Sequence, residues 1–412
     1  MTSHFISISN ARKIILRQQF LSDFNGSMSE IIDHLGYIQI DSIYVVERAH
    51  NHTLWSRCPE FTPDDLSNLH GNEKAVFEYW AHAMSYLPMS DYRFSLPLMQ
   101  TFREREDCRE ILSNNKKLVK DIRKRIMAEG PVSASDFEAP PDFKGGGWWE
   151  RKPAKQILEV LYWQGELMIS HRKNFKRYYD LTERAFSLTG EKPSTLMPSH
   201  EETHRHYLMR VFRTLGVANK ADLLWFIKDK TTATSVLNEM IGAGEVQLLK
   251  IENLADQYYA LKTVLENSLS IHFEYGGNTG QNGQKVHILS PFDNMMIRRD
   301  FVKRLFNFDY VFECYVPQAN RKFGYFSCPI LAGTDLIGTI DAKADRSDRM
   351  LIVKNLHLSD FPAKSCDKEN LVRAVARRIS EFSSFNGCSS IKMECQNKWA
   401  KAIEKRLKSA QD

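Results

Sequence analysis

The sequence contains few cysteines, and their spacing suits neither a disulfide framework nor a structural zinc site. Its 412 residues include seven cysteines, an odd number, and no Cys-x-x-Cys pair occurs. Zinc ribbons and small secreted scaffolds both depend on regular cysteine spacing, so scattered cysteines are typical of reduced thiols. We therefore expect a cytoplasmic protein without disulfides and without a metal ion.

Long apolar runs are also missing. No stretch approaches the ~20 residues that a helix needs to cross a bilayer. The start of the chain, Met1–Ile6, lacks the charged residues followed by an apolar core that mark a secretory signal. The sequence thus predicts a soluble intracellular protein, and we expect no membrane partner.

A strong excess of one charge is absent as well, since the net charge is only +5. Such a balance does not by itself indicate nucleic-acid binding. The glycine-rich stretch 276–283 lacks the Gly-Lys-Ser/Thr ending of a phosphate-binding loop, so we expect no nucleotide cofactor. The length leaves room for two to four compact units, at about 100–200 residues per domain.

The most informative residues present are Gln39-Ile40-Asp41. They follow a helical pattern, 29–35, that Gly36 closes, and they lie in a short segment that alternates apolar and polar residues. On an extended segment, Ile38 and Ile40 face the core, and Gln39 and Asp41 share the other face. An amide beside a carboxylate can hold and polarise a water molecule. The same spacing also suits a solvated strand face, so the triplet alone leaves both interpretations open.

Five further segments accompany the triplet. They are 46–57 (Val-Glu-Arg-Ala-His-Asn-His-Thr-Leu-Trp-Ser-Arg), 78–88 (Glu-Tyr-Trp-Ala-His-Ala-Met-Ser-Tyr-Leu-Pro), 290–293 (Ser-Pro-Phe-Asp), 305–310 (Leu-Phe-Asn-Phe-Asp-Tyr) and 321–325 (Arg-Lys-Phe-Gly-Tyr). In this order, they resemble the YcaQ/AlkZ family of winged-helix DNA glycosylases. Members of that family carry a Gln-apolar-Gln or a Gln-apolar-Asp motif, and this chain has the Asp form of the YcaQ branch.

The resemblance implies a function for Gln39 and Asp41. It implies a monofunctional DNA glycosylase that removes N7-alkylated guanines from double-stranded DNA, including guanines joined in interstrand crosslinks. Asp41 would stabilise the positive charge on the sugar and accept a proton from water, and Gln39 would position that water. We expect the enzyme to act as a monomer without a cofactor. Since no lysine adjoins the pair, we expect no lyase activity.

An internal repeat predicts an α+β fold with three tandem winged-helix units. Segments 157–167 and 236–246 both read as an amphipathic helix closed by Gly-Glu, and each is followed by a returning strand with a Tyr-Tyr pair. We place the units at 1–100, 101–190 and 200–265. A β-rich module, barrel-like in its pattern, follows at 284–388 with a closing helix; its pattern predicts strands that include 310–316 and 350–358, with a hairpin turn at 333–335. In the third unit, Gly216 closes a predicted helix over 203–215. Winged helices also occur in transcription regulators without catalytic activity, and this is the leading alternative.

The second unit carries a basic hairpin. Its cations Arg172, Lys173, Lys176 and Arg177 surround Phe175 in a predicted loop. Such a tip can lie along a phosphate backbone, although charge can equally serve solubility. The winged-helix context favours DNA contact.

Histidines supply the remaining candidates. His50, His52 and His82 lie in the family-like segments, where they are candidates for residues that support the active site. His200-Glu201-Glu202-Thr203-His204 fits a zinc-binding His-Glu-x-x-His motif, which would imply a zinc hydrolase. The motif stands at a predicted helix start without a third ligand downstream, so we favour ordinary first-turn acids.

Overall fold

The computed structural model describes residues 4–22, 24–138, 152–190, 192–269, 285–359 and 368–409. The glycine-rich stretches 145–147 and 276–283 lie outside these residues. The chain forms two compact units. The first comprises Met1–Ser27, Ile38–Thr62 and Tyr207–Asp412, and the second comprises Met28–Tyr37 and Pro63–His206.

The regular elements alternate between helices and short strands. The strands are β1 (His4–Ile6), β2 (Ile38–Gln39), β3 (Val76–Trp80), β4 (Met84–Pro88), β5 (Leu167–Lys173), β6 (Lys176–Leu181), β7 (Ala218–Asn219), β8 (Val246–Ile251), β9 (Tyr258–Leu261), β10 (Val286–Ile288), β11 (Ser327–Ala332), β12 (Asp335–Asp345), β13 (Met350–Leu358) and β14 (Ser390–Met393). The helices are α1 (Ile8–Gln18), α2 (Met28–Leu35), α3 (Ala49–Trp55), α4 (Pro63–Gly71), α5 (Leu96–Glu104), α6 (Glu106–Asn114), α7 (Lys116–Glu129), α8 (Pro153–Trp163), α9 (Thr182–Ser187), α10 (His200–Leu215), α11 (Lys220–Leu223), α12 (Lys230–Gly242), α13 (Lys262–Leu269), α14 (Arg299–Phe306), α15 (Lys368–Phe385) and α16 (Lys398–Lys408).

Two sheets lie wholly within the described residues of the first unit. In the smaller one, β1 runs parallel to β8, and β9 lies antiparallel between β8 and β7. The larger sheet has the order β10-β11-β12-β13-β14 and curls into a half-barrel. Register shifts interrupt it between Ile330 and Leu331 and between Asp341 and Ala342, and such bulges increase local twist. The predicted β-rich, barrel-like module is thus a half-barrel.

The core of the first unit joins the start of the chain to its second half. Helix α1 contributes Ile14, Ile15 and Leu16 to one hydrophobic cluster that also contains residues of α10, α12 and α14. Its N-terminus is defined by Ser7, whose hydroxyl accepts a hydrogen bond from the Asn10 amide at 3.2 Å. Gly216 closes α10 with a φ of +67°, and a Cβ there would collide with Ile14 and Gln18.

The half-barrel differs from its predicted pattern at one segment. The sequence pattern predicts a strand over 310–316, and this is wrong: the structure has a 3-10 helix, Glu313–Tyr315, within a loop. The β-branched and aromatic residues of this segment are typical of a strand. The chain forms a loop instead, because the buried carboxylate of Glu313 accepts hydrogen bonds from the backbone amides of Lys322 and Phe323. The hairpin turn after β11 is confirmed, with Gly333 at a φ of +56°.

The second unit is built around two hairpins. Strands β3 and β4 pair antiparallel, as do β5 and β6, and Val132 forms a bridge to Tyr179 beside the latter hairpin. Aromatic residues fill the core; Tyr162 is buried and donates a hydrogen bond to the carbonyl of Glu78 at 3.0 Å. The division at 1–100, 101–190, 200–265 and 284–388 and the three winged helices stay predictions.

Candidate active site

The Gln-Ile-Asp triplet adopts the alternating arrangement expected from its sequence. Ile38 and Ile40 are buried, with 0% and 8% of their surfaces exposed, whereas Gln39 and Asp41 are half-buried. Strand β2 ends at Gln39. The chain then turns at Asp41, where Oδ1 accepts a hydrogen bond from the Ile43 amide at 2.8 Å. This Asx turn fixes the carboxylate while the isoleucines anchor its backbone.

Burial changes the acidity of Asp41. It raises the pKa of this carboxyl above the ordinary 3.8, and the amide of Ile43 acts in the opposite direction more weakly. Among the described residues, no donor reaches Oδ2, so that oxygen is available to a water molecule or a substrate. A carboxylate with a raised pKa is a better proton acceptor than an ordinary aspartate.

A loop from the second half of the chain lies beside Asp41. Burial raises the pKa of Cys314, and the charge of Asp41 raises it further, while Tyr315 acts against them. The pKa of Tyr315 is raised by Cys314, by burial and by Asp41, in that order. The charge of Asp41 therefore acts on both side chains. Tyr315 is 88% exposed, which is unusual for so large an aromatic side chain.

Two buried carboxylates hold this loop in place. Glu313 accepts hydrogen bonds from the amides of Lys322, Phe323 and Gly324 at 2.9, 2.7 and 3.0 Å. Burial would raise the pKa of Glu313, but the three amides outweigh it, and the pKa is lowered. Gly324 has a φ of +129°, and a Cβ there would collide with the second carboxylate, Asp341. These hydrogen bonds hold the segment 321–325 against Glu313, in the loop that also carries Tyr315.

The chain beyond Asp41 is anchored to the half-barrel. Arg346 donates to the carbonyls of Tyr44 and Val46 at 3.1 and 3.3 Å, and the amide of Ala344 donates to the carbonyl of Val45 at 2.9 Å. The guanidinium of Arg346 lies 3.5 Å from the ring centre of Tyr44, and that of Arg48 lies 4.1 Å from it. These contacts leave little freedom to the segment that carries Asp41.

A buried ion pair fixes the next helix. Arg57, just after α3, contacts both carboxylate oxygens of Asp293 at 2.7 and 2.9 Å, and neither side chain is exposed. The remaining donors of Arg57 reach the carbonyl of Thr53 and two oxygens of Gln19. The Ser-Pro-Phe-Asp motif at 290–293 therefore contributes to the support of the site.

The basic hairpin lies in the second unit and is tighter than predicted. Strands β5 and β6 run to Lys173 and Lys176, so only Asn174 and Phe175 form the turn, both with positive φ. Arg172 makes a bidentate ion pair with the buried Glu78 at 2.6 and 2.7 Å. Lys173 and Lys176 are exposed, while Arg177 is half-buried and lies 5.9 Å from the ring centre of Tyr162.

A comparison with known families settles the class of protein. The family model described as "DNA glycosylase AlkZ-like" matches residues 32–385. The chain belongs to the AlkZ-like DNA glycosylases. The family resemblance predicted from the sequence is thereby confirmed, and an N-glycosylase that acts on DNA is the enzyme class.

A solved structure supports the fold. The Streptomyces sahachiroi DNA glycosylase AlkZ is similar to this AlkZ-like chain with a TM-score of 0.58 and 14% sequence identity. The match covers 94% of this chain and 99% of that one. At this identity, the likeness establishes a shared mixed α/β fold.

The histidine candidates of this AlkZ-like chain lie in two places. His50 and His52 are buried in α3 of the first unit, and His82 lies between β3 and β4 of the second. Burial lowers the pKa of His52 to about 4, and Nε2 lies 2.9 Å from the carbonyl of Ile288. A neutral His52 therefore donates to β10 and supports the fold. The ring of His82 packs edge-on against Tyr37, with centres 5.0 Å apart.

The His-Glu-x-x-His motif forms a capped helix start. Ser199 and Glu202 exchange hydrogen bonds between side chain and backbone at 2.7 and 3.1 Å, which is a capping box. Nδ1 of His204 lies 2.6 Å from the carbonyl of His200. Within the described part of the chain, no three His, Cys, Asp or Glu side chains lie close enough together to hold a metal ion.

Sequence reasoning missed the loop whose side chains feel the charge of Asp41. Glu313, Cys314 and Tyr315 fall between two of the family-like segments, and nothing in their spacing places them beside a residue more than 270 positions earlier. The exposed ring of Tyr315 within reach of the charge of the half-buried Asp41 becomes visible only in the fold. No helix in the ranges described is long and apolar enough to cross a membrane.

Proposed function

We propose that this AlkZ-like enzyme hydrolyses the N-glycosidic bond of N7-alkylguanine in double-stranded DNA and unhooks guanine crosslinks. Asp41 accepts a proton from the attacking water and stabilises the developing positive charge on the sugar. Gln39 positions that water. The proposal rests chiefly on the half-buried carboxylate of Asp41, whose Oδ1 is fixed by the Ile43 amide.

The chemistry of the lesion matches this equipment. Alkylation at N7 gives guanine a fixed positive charge, so the base departs without a strong general acid. Positive charge then builds up on the deoxyribose, and a nearby carboxylate stabilises it, as in sugar hydrolysis generally. The raised pKa of Asp41 suits a group that must also accept a proton.

We propose a monofunctional enzyme that acts as a monomer. A lyase needs an amine to form a Schiff base with the sugar. The segment 37–46, which contains Gln39 and Asp41, has no lysine that could supply this amine. Water is therefore the nucleophile in this proposal, and the product is an abasic site.

DNA contact is assigned to the tip of the basic hairpin and to Tyr315. The elements α7, α8, β5 and β6, and likewise α10, α11, α12, β8 and β9, follow the helix–hairpin order of a winged helix. On the hairpin, Lys173 and Lys176 are the exposed cations, so they carry the proposed phosphate contacts, with Arg172 and Arg177 as their inner neighbours. Tyr315 offers an exposed ring beside Asp41 on which a base can stack.

An open site is part of the proposal. A guanine tethered to the opposite strand cannot swing fully into a closed pocket, as most glycosylases require of their target base. The partial exposure of Asp41 and the 88% exposure of Tyr315 suit a substrate approached from the groove. Such a site selects the cationic charge of the lesion more than its size.

Release of the base from defined DNA tests the function. We expect release of N7-methylguanine, and unhooking of a mustard crosslink, at equal rates with and without a chelator. Uracil and 8-oxoguanine should stay in place because they are neutral leaving groups. Binding to DNA without base release would instead identify a winged-helix regulator, and loss of activity with the chelator would revive the zinc hydrolase. Efficient excision of uracil, or failure to unhook crosslinks, would contradict the open site.

A further inference from the structure

A polar cavity lies within the first unit, and Asp41 is not among its lining residues. It has a volume of about 190 Å³ and lies between the end of α3, strand β10 and helix α15. The side chains that matter for its chemistry are Lys285, His287, Arg377, Arg378 and Glu381. None of these residues belongs to the triplet or to the loop that carries Tyr315.

Arg378 is held rigidly at this cavity. Only 5% of its surface is exposed, and its guanidinium lies 3.6 Å from the ring centre of Trp55. Nη1 donates to Glu381 at 2.9 Å. Nε and Nη2 are buried, and no acceptor within the described ranges reaches them. A buried guanidinium with two unused donors is costly and indicates a site for an acceptor ligand.

The charge around the cavity is positive. Among the lining residues, Lys285, Arg377 and Arg378 contribute positive charge, and Glu381 contributes negative charge. Arg57 also lines the cavity, but Asp293 neutralises its charge. Glu381 is shared between Arg378 at 2.9 Å and Arg377 at 3.7 Å. The Nζ of Lys285 donates to a carbonyl, that of Ser22, at 2.8 Å. An anion entering the cavity would meet more positive than negative charge.

His287 adds a constraint on the kind of anion. Its ring is buried, and Nδ1 lies 2.9 Å from the carbonyl of Ser56, so Nδ1 carries a proton. Burial lowers the pKa of His287 well below 6.5, and the charges of Arg378, Lys285 and Arg57 lower it further. The ring is therefore neutral, and Nε2 is an acceptor without a partner among the described residues.

We propose that this cavity binds a single hydrogen phosphate ion. The Nε–H and Nη2–H groups of Arg378 donate to its oxygens, and its P–OH group donates to Nε2 of His287. Sulfate and the phosphodiester of DNA carry no such proton at neutral pH and would face the lone pair of His287. The cavity is also smaller than the ~300–1,000 Å³ of sites for drug-sized ligands, which excludes a nucleotide.

Calorimetric titration of the full-length protein with sodium phosphate at pH 7.5 and constant ionic strength tests the proposal. We expect saturable binding of one phosphate per chain, with sulfate about tenfold or more weaker because one hydrogen bond is lost and a lone pair opposes it. Absence of saturable binding, or equal affinity for sulfate, would overturn the proposal. So would displacement of phosphate by a short DNA duplex, since the cavity would then hold a phosphodiester.

Variants on α15 locate the site. Arg378→Met should weaken phosphate binding by about ten- to hundredfold, because it removes two charge-assisted hydrogen bonds. Arg377→Gln, at a side chain that is 54% exposed, leaves the fold intact and should weaken binding about two- to fivefold. Arg373→Gln is its matched control, because Arg373 is 61% exposed and pairs with Glu369 on the same helix. If Arg377→Gln and Arg373→Gln bind phosphate equally well, the assignment is refuted.

Discussion

Loss of the Asp293 carboxylate should destabilise the first unit more than the loss of almost any other single charge. Arg57 uses all five of its N–H donors: two contact Asp293, and three reach Gln19 and Thr53. Both members of the pair are 0% exposed. Asp293→Asn preserves the shape but turns a donor toward Arg57 and leaves its charge without a counterion.

The magnitude follows from this burial. Removing one partner of a fully buried ion pair costs about 3–5 kcal/mol, because the remaining charge keeps its desolvation penalty. The free energy of unfolding of the first unit, measured by urea denaturation, should fall by about this amount. Replacing both partners together, as in Arg57→Met with Asp293→Leu, should recover part of the loss, because neither charge of the pair remains buried; the recovery is incomplete because Gln19 and Thr53 lose the donors of Arg57.

The pair Arg12–Asp335 in the same unit supplies the control. Its atoms lie 2.5 Å apart, but the side chains are 17% and 44% exposed. Asp335→Asn should therefore cost less than about 1 kcal/mol. If Asp293→Asn costs no more than Asp335→Asn, the Ser-Pro-Phe-Asp motif does not anchor α3 in the way we describe.

Three further predictions concern DNA binding and pH. Replacing Lys173 and Lys176 by Ala should lower the log–log slope of DNA affinity against salt concentration by about 1.8, at about 0.9 per phosphate contact. Arg172→Ala should mainly lower the stability of the second unit. An unchanged slope in the lysine variant would refute the phosphate contacts. Tyr315→Ala should cost about 1–3 kcal/mol of DNA affinity through lost stacking, whereas Tyr315→Phe should keep it; equal affinity for both would remove the ring from the interface. In the pH–rate profile of base release, the rate should fall on the acid side with a midpoint above 3.8, because a base with a raised pKa is protonated at a higher pH. This acid-side fall should be absent when Asp41 is replaced; if it persists, another group causes it.

Local signals in the sequence predicted much of the framework. Helix α2 ends at Leu35, before Gly36, as predicted, and begins one residue earlier than the predicted range 29–35. Helix α10 likewise ends before Gly216, as predicted. Strand β13 has the predicted bounds, Met350–Leu358. These elements depend on apolar periodicity and on glycine at positive φ, and both signals come from residues that are close together in the sequence.

Long-range features were not accessible in the same way. The pairing of Arg172 with Glu78 joins residues 94 positions apart, and no local pattern indicates which cation of the hairpin turns inward. The same holds for Tyr315, whose place beside Asp41 depends on how Glu313 folds the loop. Gln39 and Asp41 stay predictions from the sequence, and the residues near them depend on the tertiary structure.

The rate of base release by Asp41→Asn tests the central claim most directly. Under single-turnover conditions on DNA with N7-methylguanine, the rate should fall about 10²–10³-fold, as on loss of a charge-stabilising group, and Gln39→Ala should fall less. DNA affinity should hold. Because burial raises the pKa of Asp41, its ionised form lowers stability at neutral pH, so Asp41→Asn should be as stable as the wild type or more stable. A stable, DNA-binding Asp41→Asn enzyme with the wild-type rate would contradict the assignment.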